Sequence, residues 1–254
     1  MSLYNQVLNN LSDLKLEQSK LFLGEYLEEA SKKQLSYLEV LKELTDRELK
    51  HKKLRSAKMR IKVGNFPFEK GLNDFDFDYQ PSINKKEIYE LSTLSFIELK
   101  KNILFLGSPG VGKTHLAVAV GIAAADNKYS VYFIHAHNLI SDLVLAHNEN
   151  RLESRLKHFS KYKLLIIDEI GYLPIDNVGS NLFFQLIARR YEKSSTIVTT
   201  NQPFSRWGEV FDNPVVASAI LDRLLHHSHV INITGRSYRV KDKFVEIDKN
   251  KMQL

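Results

Sequence analysis

The sequence predicts an α/β fold: a parallel sheet with helices on both faces, preceded by a small helical module. Three observations predict it. Five short apolar or β-branched runs recur between about 102 and 233, separated by segments of helical composition. A glycine loop at 107–114 joins the first of these runs to a stretch rich in helix formers. Residues 1–62 differ from the rest, with Gly24 the only glycine, no proline, and a dense mixture of Leu, Lys and Glu.

In that first segment, Ser36 and Glu39 have the spacing of a capping box, and Leu35, Leu38, Leu41 and Leu44 recur at threes. A helix from near Ser36 toward Ile61 is predicted, preceded by one or two shorter helices carrying Leu11, Leu14, Leu23 and Leu27. No catalytic constellation occurs in this module. It reads either as a docking or self-association element or as a helical cap on the larger domain. Its end is basic: Lys50, Lys52, Lys53, Arg55, Lys58, Arg60 and Lys62 occur with no intervening acid. Such a run is either a solvated helix face or a contact for nucleic acid.

Residues 63–84 turn to Gly, Pro, Asn, Asp and Phe, among them Gly64, Phe66, Pro67, Phe68, Phe75, Phe77 and Pro81. This composition ends the helix and makes a linker, whose aromatic rings predict packing. The domain at 85–254 contains the strands 102–106, 131–134, 164–167, 196–199 and 230–233. All but the last are continuous rather than alternating runs, which implies a parallel sheet covered on both faces.

The glycine loop reads Gly107-Ser108-Pro109-Gly110-Val111-Gly112-Lys113-Thr114 and satisfies G-x-x-x-x-G-K-[ST] at every position. Glycines let backbone N–H groups converge on phosphate oxygens. Lys113 supplies charge for the terminal phosphates and Thr114 a hydroxyl for Mg²⁺, while the helix that follows adds its N-terminal dipole. The run Leu164-Leu165-Ile166-Ile167 delivers Asp168 to a strand end, where a carboxylate holds Mg²⁺, and Glu169 follows as candidate general base for an attacking water. Asn201 closes Thr199-Thr200-Asn201 and is a candidate to polarise that water. A cation is also wanted at the γ-phosphate. Arg223, Arg206, Arg236 and Arg239 are all candidates, and the residues alone do not choose among them. His226, His227 and His229 have no acid or thiol beside them and read as packing or capping residues.

The bulk composition sets limits. The chain has 254 residues, 43% hydrophobic and 26% charged, as expected for a globular protein. No run approaches the ~20 apolar residues of a bilayer span, and no secretory pattern opens the chain, so a cytoplasmic location is expected. The absence of cysteine excludes disulfides and thiolate zinc. The net charge of +6 fits either a polyanionic partner or ordinary solubilising charge.

Several runs together resemble the IstB-like ATP-binding proteins, helper ATPases of insertion-sequence transposition. More distantly, they resemble the DnaC-type helicase loaders; both groups belong to the AAA+ initiators. The runs are Gly110 to Ala117 (which includes His115), Asp168-Glu169-Ile170-Gly171-Tyr172-Leu173-Pro174, Thr199 to Phe204, Ala219 to His227, and Gly235-Arg236-Ser237-Tyr238-Arg239. The resemblance implies an AAA+ P-loop fold with strand order 5-1-4-3-2 and the helical lid largely absent, since too little sequence follows Arg223. It implies that Arg223 acts as an arginine finger on the next subunit's ATP. Arg239 would be a second sensor in its own subunit, with His115 among the nucleotide-binding residues and the linker near Phe75 bordering the adenine. It further implies an oligomer formed with ATP on duplex DNA, a transposase partner, and target capture. DNA contact is expected from the helices between the second and third strands, through Arg151, Arg155, Lys157, Lys161 and Lys163, with only Glu153 opposing. The alternative is a replicative helicase loader, although loaders of one bacterial type carry a cysteine-based zinc module that this chain cannot make.

Overall fold

The computed structural model describes residues 1–241. The chain divides into two compact units, Met1–Met59 and the part from Arg60 onward.

The first unit contains α1 (Leu3–Asp13), α2 (Glu17–Lys32) and most of α3 (Tyr37–Val63). The capping box forms as its spacing predicts. Glu39 N–H donates to Ser36 Oγ at 3.3 Å, and Ser36 N–H donates back to Glu39 Oε2 at 2.8 Å. Leu23, Tyr26 and Ala30 make the buried stripe of α2, and the Arg47 guanidinium lies 3.5 Å above the Phe22 ring. Buried Glu48 accepts from Ser19 N–H at 2.9 Å, which satisfies a donor that the first turn of α2 leaves open. The helix expected from near Ser36 forms as Tyr37–Val63, and of its three-spaced leucines Leu38 and Leu41 are exposed. A spacing of three falls short of a full turn of 3.6 residues, so the row winds around the helix.

The second unit begins with the last turn of α3. Gly64 N–H closes that turn on Arg60 O at 2.8 Å, and Asn65 adopts φ +57°, a left-handed helix end. Residues 64 and 65 then run beside an edge strand: Phe133 N–H donates to Gly64 O at 2.8 Å and Asn65 Nδ2 to Phe133 O at 3.0 Å. Two short helices follow, α4 (Lys85–Leu91) and α5 (Ser95–Glu98). The sheet and its crossovers are β1 (Asn102–Gly107), α6 (Lys113–Asp126), β2 (Val131–His135), α7 (Ala136–Asn148), α8 (Leu152–Ser160), β3 (Leu164–Ile170), α9 (Asn177–Arg190), β4 (Ser195–Thr200), α10 (Trp207–Val210), α11 (Pro214–Leu225) and β5 (Ser228–Ile233). All five strands are parallel in the order β2-β3-β4-β1-β5, the implied 5-1-4-3-2 read from the other edge.

Side-chain alternation divides the sheet between two cores. Ile103, Phe105, Ile166 and Ile197 face α6, α4, α5 and the linker rings Phe66, Phe68, Phe75 and Phe77. Leu104, Leu165, Ile167 and Val198 face α7, α8, α9, α10 and α11. Both faces are therefore dry, which is why four of the strands read as continuous apolar runs. The exception, β5, lies at an edge and alternates in burial.

A buried arginine ties this second layer together. Arg190, 1% exposed at the end of α9, donates to Phe159 O (2.8 Å), Tyr162 O (3.0 Å), Thr196 Oγ1 (3.0 Å) and Ser195 O. Burial pushes its guanidinium down to about 9, still charged at neutral pH. Arg190→Met removes every one of these donors and strands three carbonyls in the interior. A loss of about 3 kcal/mol or more in unfolding free energy is expected, read by urea denaturation. A change under about 1 kcal/mol would mean that water reaches those carbonyls.

Candidate functional site

The loop between β1 and α6 is shaped by its neighbours as well as by its glycines. Gly112 has φ +101°, and a Cβ there would fall 2.5 Å from Phe75 Cε2. Gly110 has φ +83°, and its Cβ would fall 2.0 Å from Ser237 Oγ. Linker and C-terminal segment thus press on the loop from two sides, and only glycine fits at either contact. Lys113 Nζ donates to Gly107 O and Ser108 O, both at 2.8 Å, where phosphate oxygens would compete for it. Burial lowers its pKa, with Asp168 and Glu169 opposing that shift.

Opposite the loop stands the end of β3. Asp168 is 1% exposed. It accepts from Thr114 Oγ1 at 2.9 Å and from Thr199 Oγ1 at 2.6 Å. Thr199 Oγ1 in turn accepts from Glu169 N–H at 2.8 Å, and Glu169 sits in the left-handed region at φ +63°. Thr114 and Asp168 thus bring a hydroxyl and a carboxylate to one point, a hard-oxygen donor set that suits Mg²⁺ with its remaining positions left to water and phosphate. Two further buried polar atoms lack a hydrogen-bond partner among the described residues, Asn201 Oδ1 and His135 Nδ1. His135 Nδ1 lies 3.4 Å from Asp168 Oδ2 and 3.9 Å from Glu169 Oε2.

Lys113, Thr114, Glu169 and Asn201 border a cavity of about 350 Å³, and His135 and Asp168 line a second one that shares Glu169 and Tyr172 with it. Pro109 to His115, Tyr172, Phe68, Phe75 and Arg239 are also part of the first cavity's lining. His115 is held beneath the linker, its Nε2 3.0 Å from Gly71 O and its ring edge-on to Phe75 at 5.2 Å. The segment carrying Arg239 is fastened at several points. Tyr238 N–H donates to Gly110 O at 2.9 Å, Gln80 Nε2 to Arg236 O at 2.8 Å, and Tyr79 Oη to Ser237 O at 3.3 Å. Lys241 Nζ meets Asp76 Oδ2 at 2.6 Å and lies 5.0 Å from both the Tyr79 and the Tyr238 ring.

The other sequence candidates stand elsewhere. Arg223, on α11, does not line this cavity. It donates to Ala219 O at 3.0 Å, covers the Phe184 ring at 4.7 Å, and pairs with no carboxylate among the described residues. Arg151 is bound to Glu149 (Nε to Oε2, 2.9 Å) and Arg155 to Asp142 (Nε to Oδ1, 2.6 Å). Glu153, expected as the only opposing acid, pairs instead with Arg189 at 2.7 Å. Asp142 escaped the sequence reading because its partner lies across the α7–α8 turn, thirteen residues away. Lys157, Lys161 and Lys163 are exposed.

Sequence reasoning missed Thr199 and His135. Thr199 stood in the quoted run but was passed over for Asn201. His135 is the polar residue that ends β2, and the register pairs it with Asp168; a polar residue closing an apolar strand was the available signal.

A family model for the IstB-like ATP binding protein matches residues 9–245. The chain belongs to the IstB-like ATP-binding protein family. It is 53% identical over 241 residues to an ATP-binding protein named for insertion sequence IS232 of Bacillus thuringiensis subsp. berliner, covering 95% of this chain and 96% of that one. It is 47% identical to the corresponding protein named for IS21 of Pseudomonas aeruginosa, covering 92% and 88%. Among solved structures the fold is similar to DnaI (21% identity, TM-score 0.55, 65% of this chain and 90% of that one). It is also similar to AMPPCP-bound DnaA from Aquifex aeolicus (21%, TM-score 0.54), covering 72% of this chain and 57% of that one. The chain is thus an insertion-sequence ATP-binding protein of AAA+ fold. Among the described residues no helix is long and apolar enough to cross a membrane.

Asp76→Asn removes the charge that anchors Lys241 and should release the segment bearing Arg239. ATP affinity is expected to fall several-fold, with thermal stability little changed, in paired calorimetric titrations and melts. Equal affinity in the variant would show that the anchor does not hold Arg239 in place.

Proposed function

We propose that this protein is a DNA-dependent ATPase that assists a transposase, assembling with ATP on duplex DNA and promoting target capture. The observation that carries the reading is Glu169. It follows the buried, hydroxyl-bound Asp168 and borders the same cavity as Lys113 and as Asn201, whose buried Oδ1 has no hydrogen-bond partner among the described residues. Mg²⁺ held by Thr114 and Asp168 would neutralise charge on the phosphates. Glu169 then orients and deprotonates the attacking water, Asn201 polarises it, and Lys113 and the loop N–H groups hold the transferred group.

Lys70, Lys113 and Arg239 are the lysines and arginines that line the cleft of one subunit among the described residues. Arg223 pairs with no carboxylate among the described residues and does not line that cavity, which supports its action on a neighbouring subunit. Arg239 serves as the sensor within the same subunit, and residues 1–62 mediate assembly or transposase contact. Duplex DNA meets the basic face near Lys157, Lys161 and Lys163, and the Lys50–Lys62 run of α3 is a separate candidate contact. Arg155 contributes less, because Asp142 already neutralises it. Phosphate contacts of this kind are nearly independent of sequence and weaken steeply with salt, which suits a factor that accepts many targets.

Two experiments test the reading. Phosphate release by the purified chain should rise on adding duplex DNA, and sedimentation should show larger species with ATP than with ADP. A protein that stays monomeric and releases no phosphate with Mg²⁺, ATP and DNA ends the proposal, and capture of a replicative helicase instead of the transposase favours the loader reading.

Glu169→Gln should retain ATP binding and lose hydrolysis by about 10²-fold or more. Arg223→Ala should lose turnover by about 10³-fold. Mixing the two inactive variants should restore part of the activity, since a Glu169→Gln subunit can lend its arginine to an intact neighbour's cleft. A mixture as inactive as its components would refute action between subunits.

A further inference from the structure

His226, His227 and His229 read in sequence as histidines without an acid, but the fold brings one from 34 residues away. The turn after α9 holds Tyr191 and Glu192, with Glu192 in the left-handed region at φ +56°. The link from α11 to β5 holds His226 and His227. Both connections lead into the N-terminal ends of parallel strands, β4 and β5, which flank β1 at the end of the sheet opposite the phosphate loop. Glu192 Oε1 is 3.6 Å from His227 Nε2 and 3.9 Å from His226 Nδ1. The two imidazole rings lie 4.0 Å apart between centroids, and the three donor atoms all fall within 4.8 Å of one another.

We propose that Glu192, His226 and His227 form a surface site for a divalent transition ion of the zinc class. Tetrahedral zinc with bonds near 2.0–2.2 Å sets its ligand atoms about 3.4 Å apart. The two carboxylate–imidazole separations exceed that by half an ångström or less. All three side chains are about half exposed, so small rotations close the remaining gap without disturbing the core. Two imidazoles with one carboxylate match a donor set that zinc uses, leaving a fourth position for water. Mg²⁺ and Ca²⁺ prefer all-oxygen ligands, so the ion expected beside Thr114 and Asp168 does not compete here.

The Tyr191 hydroxyl lies 2.6 Å from His226 Nδ1 and holds that ring toward Glu192. Metal entry exchanges this hydrogen bond for a coordinate bond and frees the hydroxyl to support the bound water or the carboxylate. The second His–acid grouping, His135 with Asp168 and Glu169, shares both of its acids with the proposed nucleotide chemistry. An ion at Glu192 would tie the α9–β4 turn to the end of α11, the helix that carries Arg223. The site itself does not depend on the proposed hydrolysis and survives if that reading fails.

The test uses the full chain without a histidine tag, stripped with chelator and free of nucleotide. Titration with Co²⁺ should give visible bands of a four-coordinate ion at one equivalent, and Zn²⁺ should displace it. His227→Ala and Glu192→Gln should each weaken Co²⁺ binding at least about tenfold, as losing even an outer-sphere partner costs 10–100-fold. His135→Ala should leave the bands in place. Zn²⁺ should also raise the melting temperature of the parent chain and not that of folded His227→Ala. No bands with the parent chain, or equal binding by all three variants, would overturn the site.

Discussion

The carboxylate of Asp168 is the point on which the nucleotide cleft depends. A charge this deeply buried is costly unless hydrogen bonds surround it. Here the hydroxyls of Thr114, from the first turn of α6, and Thr199, from β4, both donate to it. Three elements are thereby fixed to one group: the helix that begins at the phosphate loop, the strand that carries the acids, and the strand that ends in Asn201. Thr199 also accepts the Glu169 N–H, so the hydroxyl that steadies Asp168 sets the backbone from which Glu169 projects. The left-handed φ of Glu169 departs from the strand at this point, and the β3–β4 register shifts between Ile167 and Ile170. The break in the ladder turns the second acid away from the core and toward the cavity.

A second constraint acts from the chain's far end. AAA+ proteins with a lid use a helical domain to bring a sensor over the nucleotide. Here residues 236–241 lie directly on the linker and the loop, through Gly110, Tyr79, Gln80 and Asp76. The close approach at Gly110 and Gly112 is a product of this arrangement: Ser237 and Phe75 occupy the space that any Cβ would need. Conformational freedom and lack of volume are required at the same residues, which is a stronger demand than the loop's dihedral angles alone would make.

Much of this was legible in the sequence because it rests on local pattern. The loop, the acidic pair, the five strands and the capping box at Ser36 are all set by neighbours within a few residues, and the structure forms each of them. What was illegible depends on pairs distant in sequence. Asp142 neutralises Arg155 across a helical turn, Glu153 finds Arg189 rather than opposing its own helix, and Glu192 reaches His226 and His227. Charge counting along the chain assigned the basic surface more free cations than it has. The leucine row in α3 marked a helix that forms, but not which side it buries. Three-residue spacing is only close to a helical turn, and Leu38 and Leu41 stand exposed. Strand order, by contrast, came from resemblance and not from any residue pattern.

The arrangement of positive charge bears on the proposal that the cleft takes one cation from a neighbouring subunit. Lys113 is buried and engaged with the carbonyls of Gly107 and Ser108, and the segment that carries Arg239 is fastened through Arg236, Ser237, Tyr238 and Lys241. Preorganised charge stabilises a transition state only if it is in place before the reaction. On the proposed reading, a cation that arrives only with a second copy would couple chemistry to assembly without any change of shape in the subunit itself. Arg223 suits that proposed role because its guanidinium rests over Phe184 and donates to the Ala219 carbonyl, contacts that orient the side chain without pairing it to a carboxylate among the described residues. An arginine already paired with a carboxylate, as Arg155 is, would have to break that bond first and would act more slowly on the same phosphate.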